Sequence, residues 1–193
     1  TYSGVMSGSG GYTKGGSGTI TLSGANTYTG ATTINAGQVT VSGSLNDATA
    51  VTVAGNATYA LGASDTVGSI AGGGNITLGS NTLSTGDNSS PTYSGVMSGS
   101  GGYTKGGSGT VTLSGVNTYT GATTINTGQV TVSGAGRLAD TTDVTVGGSG
   151  IYNVAVSDTV GSIAGGGSIT LGSNTLTAGG GDDTAFSGII SGT

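Results

Sequence analysis

Residues 8–43 read GSGGYTKGGSGTITLSGANTYTGATTINAGQVTVSG, and residues 99–134 say the same with three changes: Ile20 becomes Val111, Ala25 becomes Val116 and Ala36 becomes Thr127. The copy extends back to residue 1, so that 1–43 matches 92–134 at an offset of 91 residues. Further along, SDTVGSIAGGG at 64–74 returns unchanged at 157–167, now offset by 93, because two residues enter where SGSL becomes SGAGRL. A third copy opens at the far end, where Phe186, Ser187 and Gly188 take the places of Tyr93, Ser94 and Gly95. The chain therefore divides into a long repeat at 1–91, a second at 92–184 and the beginning of a third at 185–193, all one continuous body. Self-similarity on this scale is the mark of stacked repeat architectures.

Inside the repeat, short runs alternate apolar and polar residues: Thr-Ile-Thr-Leu from Thr19, Gln-Val-Thr-Val from Gln38, Ala-Val-Thr-Val from Ala50 and Asn-Ile-Thr-Leu from Asn75. Period-two alternation predicts strands with one buried face. Gly, Ser, Asn and Asp clusters separate them, as turns require. The expected inward set is Ile20, Leu22, Val39, Val41, Val51, Val53, Ile76, Leu78 and Leu83, with Val111, Leu113, Val130, Val132, Val144, Val146, Ile169, Leu171 and Leu176 in the second copy. Gly and β-branched residues form helices poorly. A single short coil cannot bury its own apolar side, whereas stacked coils can. The reading is an all-β, right-handed parallel β-helix of about eight or nine coils, roughly four per long repeat, the hand following the usual crossover rule.

Composition closes off most chemistry. The 193 residues include 44 Gly and one Pro, with no His, Cys or Trp, and no Glu. Collagen is excluded because Gly has no three-residue period. Without imidazole or thiol, the usual general bases, soft metal ligands and activated nucleophiles are missing. No catalytic, cofactor or metal residues are expected, and no enzyme. Three basic residues against eight acidic ones, a net charge of −5, argue against nucleic acid. No apolar run is long enough for a membrane helix. The opening Thr1 in place of Met reads as a processed product or part of something longer.

The run 8–43 resembles the autotransporter-associated β-strand repeat, whose pattern K-x-G-x-G-T-φ-T-L-S-G-x-N-T-Y-T-G-x-T-T-I-x-x-G is met by Lys14, Gly16, Gly18, Leu22, Gly24, Asn26, Tyr28, Gly30, Thr33 and Gly37. Lys105, Asn117 and Tyr119 hold the matching places in the second copy. The resemblance implies a right-handed β-helix in the surface-exposed passenger regions of Gram-negative bacteria, extracellular or cell-surface in place, and it implies no catalytic residues.

Several residues nonetheless invite a functional reading. Asp182 and Asp183 follow a glycine run in the style of calcium-binding solenoids, but the pattern does not recur at each coil, and an acidic turn is expected. Asn26 and Asn117 are expected to cap backbone groups at a corner. Tyr12, Tyr28, Tyr103 and Tyr119 could stack on sugars, and are expected instead to cover the edges of a thin core. Lys14 and Lys105 are expected in solvent, with an Asp of a neighbouring coil as a possible partner. Thr-x-Thr triplets at Thr19, Thr27, Thr110 and Thr118 would bind ice only if stacked on consecutive coils, and they recur mainly once per long repeat. The expected role is structural: a segment of an extracellular filament, stalk or matrix fibre whose partners are further repeats or copies of itself, end to end. The alternative is an adhesin that holds surfaces or glycans through inter-coil loops, with 45–61 and 138–154, the stretch that differs most between copies, as its place.

Overall fold

The structure, a computed structural model, describes all residues 1–193. Every regular element is a β-strand, and every strand pairing is parallel. Successive partners on one ladder, Tyr12, Thr32, Val51 and Ile70, lie 20, 19 and 19 residues apart. Each coil thus adds one strand to each of three ladders, here called faces A, B and C. Face A runs the whole length, with nine pairings joining ten strands from Tyr12–Lys14 to Ile189–Gly192. Face B begins with Thr19–Leu22, Gly37–Val41, Ala57–Leu61, Asn75–Gly79 and Met97–Gly99. Face C is regular from Asp65–Val67 through Leu83–Thr85 and Tyr103–Lys105 to Ile163–Gly165. The long strands Thr123–Val132 and Val144–Val154 run round the corner from C to A, which joins those two faces into one sheet of fourteen strands.

The long repeat is not a whole number of coils. From Tyr12, four steps along face A reach Tyr93; the chain then crosses face B at Met97–Gly99 and arrives at the equivalent Tyr103 on face C. One repeat makes four and two-thirds turns. The refinement follows from the packing: the runs beginning at Gln38 and Ala50 are neighbouring faces of one coil rather than successive coils. Each equivalent segment therefore moves to a new face. Thr19–Leu22 is on B and Thr110–Leu113 on A; Asp65–Val67 is on C and Asp158–Val160 on B.

Alternation places the apolar side chains as expected. Of the eighteen inward residues only Ile20, Leu171 and Leu176, near the ends, stay half-buried. The core is one continuous cluster of 32 residues. Tyrosine contributes more to it than expected: Tyr59, Tyr93, Tyr103, Tyr119 and Tyr152 are wholly enclosed and Tyr28 nearly so. A cross-section this narrow, bounded by small side chains, needs one large flat residue per few coils to fill it. Each hydroxyl must then be satisfied internally, and Tyr103 meets Thr85 at 2.7 Å, Tyr119 meets Thr123 at 2.6 Å, and Tyr93 donates to the Gly74 carbonyl at 2.7 Å. Burial raises the phenols of all five. A sugar-stacking role is thus closed to Tyr28, Tyr103 and Tyr119.

Lys105 corrects the expectation of a solvated lysine. It is 1% exposed, with Nζ donating to the Gly106 and Gly107 carbonyls. Gly107 turns the corner at φ +69°, and its carbonyl accepts from Thr127 Oγ1 at 3.1 Å as well as from the ammonium. Desolvation lowers the ammonium's pKa, against the opposing pull of Asp87 on the preceding coil.

Candidate functional site

On one column of each repeat the regular strand ladder thins to single backbone bonds, and side chains add to them. In the first copy the column lies on face C: Met6, Asn26, Leu45, Asp65. Asn26 Oδ1 accepts from Met6 N at 3.0 Å, while Nδ2 donates to Gly24 O at 2.9 Å and Ser44 O at 3.1 Å. Asn117 does the same with Met97 N, Gly115 O and Arg137 O at 3.0, 3.1 and 3.2 Å on face B. The position needs one acceptor and two donor hydrogens, which an Asn amide supplies and a single hydroxyl does not. Two coils further on, a carboxylate replaces the amide. Asp65 accepts from Leu45 N at 3.2 Å and from Tyr59 Oη at 3.1 Å; Asp158 accepts from Leu138 N at 3.2 Å and from Tyr152 Oη at 2.8 Å. Both aspartates are buried. Burial pushes Asp65 up to about 6 despite these donors, and raises Asp158, where the Leu138 amide, Tyr152 and Arg137 pull the other way.

Beside each buried aspartate is a cleft, and the two clefts are one site seen twice. The first, of about 300 Å³, is lined by Ser44, Asp47, Ser64, Asp65, Thr66, Thr82 and Ser84. The second, of about 410 Å³, is lined by Arg137, Asp140, Ser157, Asp158, Thr159, Thr175 and Thr177. Position for position these are equivalents, with Arg137 for Ser44 the one change of charge. No apolar residue lines either cleft. Oxygen acceptors and hydroxyls can exchange hydrogen bonds with a polar ligand.

The stretch 45–61 and its counterpart 138–154 contribute Asp47 and Asp140 to these clefts. Sequence reasoning pointed to the segment and missed Asp65 and Asp158; the signal lay in the unchanged Ser-Asp-Thr six residues after a tyrosine. Asp182 and Asp183 are exposed in a turn away from the clefts. The Thr-x-Thr triplets do not stack on one another: Thr19 and Thr21 lie beside Gln38 and Thr40, and Thr110 and Thr112 beside Gln129 and Thr131.

With the columns and clefts in view, the comparison with known proteins falls on the strands that build them. Residues 13–41 and 104–132 match one family model, described as the passenger-associated-transport-repeat. Both stretches are similar to autotransporter passenger repeats. They include Asn26 and Asn117, the corner residues Lys14 and Lys105, and the buried Tyr28 and Tyr119. The clefts lie outside the matched stretches, apart from the coil-to-coil seam each repeat provides. No curated protein and no solved structure matches the chain.

Proposed function

We propose that the chain is a non-catalytic structural segment of an extracellular β-helical filament or stalk, part of an autotransporter passenger on a Gram-negative surface. The observation that carries this reading is the unbroken ladder of face A, ten strands hydrogen-bonded along the axis. Parallel strands about 4.8 Å apart make this a rod about 43 Å long. Its strength lies along the direction in which a stalk is pulled. The family's place in passenger regions supports the surface location. Measurement of single particles by electron microscopy tests the reading: thin rods with an axial spacing near 4.8 Å are expected, and compact round particles would overturn it.

A second reading, an adhesin, is favoured by the recurrence of the polar cleft in both repeats. Glycan-array binding that disappears on Asp47→Ala plus Asp140→Ala, with the rods unchanged, would support it. An array blank for the intact chain would remove it.

A further inference from the structure

The two polar clefts are built alike and charged differently. Each crosses three coils: Thr66 pairs with Ser84 and Thr159 with Thr177, while Asp47 and Asp140 lie on the preceding coil. In each the buried aspartate is spent on the fold. Asp158 takes Leu138 N at 3.2 Å, Tyr152 Oη at 2.8 Å and Thr159 N at 3.1 Å, and Asp65 is held by Leu45 N and Tyr59 Oη. What remains to meet a ligand is the exposed Asp47 or Asp140 and a set of hydroxyls. Two changes separate the copies, and both move the second toward positive charge. Arg137 stands where the first has Ser44. Asp87, which borders the first cleft in a hollow that shares Asp47 and Thr66 with it, becomes Gly180.

Arg137 is the chain's one arginine, and it differs from both lysines. Lys105 gives its ammonium to the Gly106 and Gly107 carbonyls, and Lys14 to those of Gly16 and Ala36. The Arg137 backbone is fixed, its carbonyl accepting from Asn117 N at 2.9 Å and from Asn117 Nδ2 at 3.2 Å. Its side chain is exposed, and its guanidinium donates to no group of the chain. A planar fork of donors on an anchored backbone, unpartnered at the mouth of a cleft, matches a carboxylate. The rest of the cleft selects the molecule that carries it. Ser157, Thr159, Thr175 and Thr177 offer hydroxyls, Asp140 offers an acceptor, and no apolar side chain is present. The other groups of the ligand must therefore be hydroxyls rather than hydrocarbon. A volume of about 410 Å³ is within the range of small-molecule sites. We propose that the Arg137 cleft binds an acidic sugar, a hexuronate unit of a polysaccharide, with the carboxylate on Arg137 and ring hydroxyls on Asp140 and the threonines. This rests on the adhesin reading and narrows it: the first cleft, with Ser44 and Asp87, refuses the charge that the second accepts.

Isothermal titration of the chain against hexuronate trisaccharides (galacturonate, mannuronate and guluronate) and their carboxyl-reduced neutral forms tests the assignment. At least one hexuronate should bind at a single site per chain, and its reduced form at least about tenfold more weakly, the loss expected for a charge-assisted hydrogen-bond pair. Arg137→Ser, which gives the second cleft the residue of the first, should lower hexuronate affinity at least about tenfold with the circular dichroism spectrum unchanged. Ser44→Arg combined with Asp87→Asn should raise the stoichiometry to two sites; the asparagine keeps the acceptor that Ser89 N uses and removes the charge. Hexuronate affinity indifferent to Arg137→Ser, or a stoichiometry still at one in the converted chain, overturns the assignment. Neutral forms bound as tightly as the hexuronates overturn it and leave the adhesin reading standing. A chain that binds none of these sugars, charged or neutral, overturns both.

Discussion

Asn117→Ala removes three hydrogen bonds and leaves the Met97 amide without a partner, while the Gly115 and Arg137 carbonyls keep the backbone N–H groups of Arg137 and Asn117. Two of these bonds are fully buried and the third partly so. A buried polar group left without a partner costs about 1–3 kcal/mol, and effects within one network add incompletely. The expected loss for Asn117→Ala is therefore about 3 kcal/mol, most of it from the stranded Met97 amide. Asn26 makes the equivalent bonds, but only the one to Gly24 is fully buried. Water can replace part of what is lost there, so Asn26→Ala should cost about 2 kcal/mol. Urea unfolding followed by circular dichroism or tyrosine fluorescence gives both numbers from the shift in midpoint. The comparison holds the substitution constant and varies only the depth of the site. If Asn117→Ala costs less than about 1 kcal/mol, or Asn26→Ala costs as much, the side-chain column is not what holds that face together.

Three further outcomes follow from the same structure. Asp65 has its pKa raised to about 6, and Asp158 is raised as well, so both are harder to ionise folded than unfolded. The folded state is then favoured below the unfolded carboxyl pKa and loses that advantage as pH rises through about 6, by up to about 3 kcal/mol for Asp65; urea midpoints should be higher at pH 4.5 than at 7.5, and Asp65→Asn should flatten the difference. Lys105→Met leaves the Gly106 carbonyl without its side-chain donor, while Gly107 keeps Thr127 Oγ1 at 3.1 Å; it should cost about 2 kcal/mol, whereas Lys14→Met, at a half-exposed corner, should cost under about 1 kcal/mol in the same urea assay. Gly95→Ala would drive a Cβ into the Gly74 carbonyl of the coil below, while Gly10→Ala meets open space; the first should lower the thermal midpoint by several degrees and the second leave it within about a degree.

The fold was readable because its alternation is clean. Thr19–Leu22 and Ala50–Val53 begin and end where the sequence places them. Turn residues and period two are local signals, and a solenoid is assembled from nothing else. What escaped the sequence is what depends on which coil lies above which. The turn count needed the register, since Gln38 and Ala50 look alike as strand openings and sit on different faces. Lys105 reads as a surface lysine until the neighbouring corners enclose it. Asp65 looks like one more turn aspartate, because neither Leu45 nor Tyr59 announces itself as a donor from a distance in sequence. The roles of Asn26 and Asn117 were legible from their place just before a corner, though not their reach to two other coils.

The four and two-thirds turns of each repeat have a mechanical result. Any solenoid whose three sides differ in side-chain bulk bends slightly toward one of them. Here any such bend in one repeat would recur in the next after a rotation of one-third of a turn. Three successive repeats, fourteen coils or about 67 Å of axis, point the same asymmetry in three directions equally spaced around the axis, and the deflections sum to nothing. A whole number of coils per repeat would have added them instead and wound the rod into an arc. The fractional count lets a chain of near-identical copies grow long and remain straight.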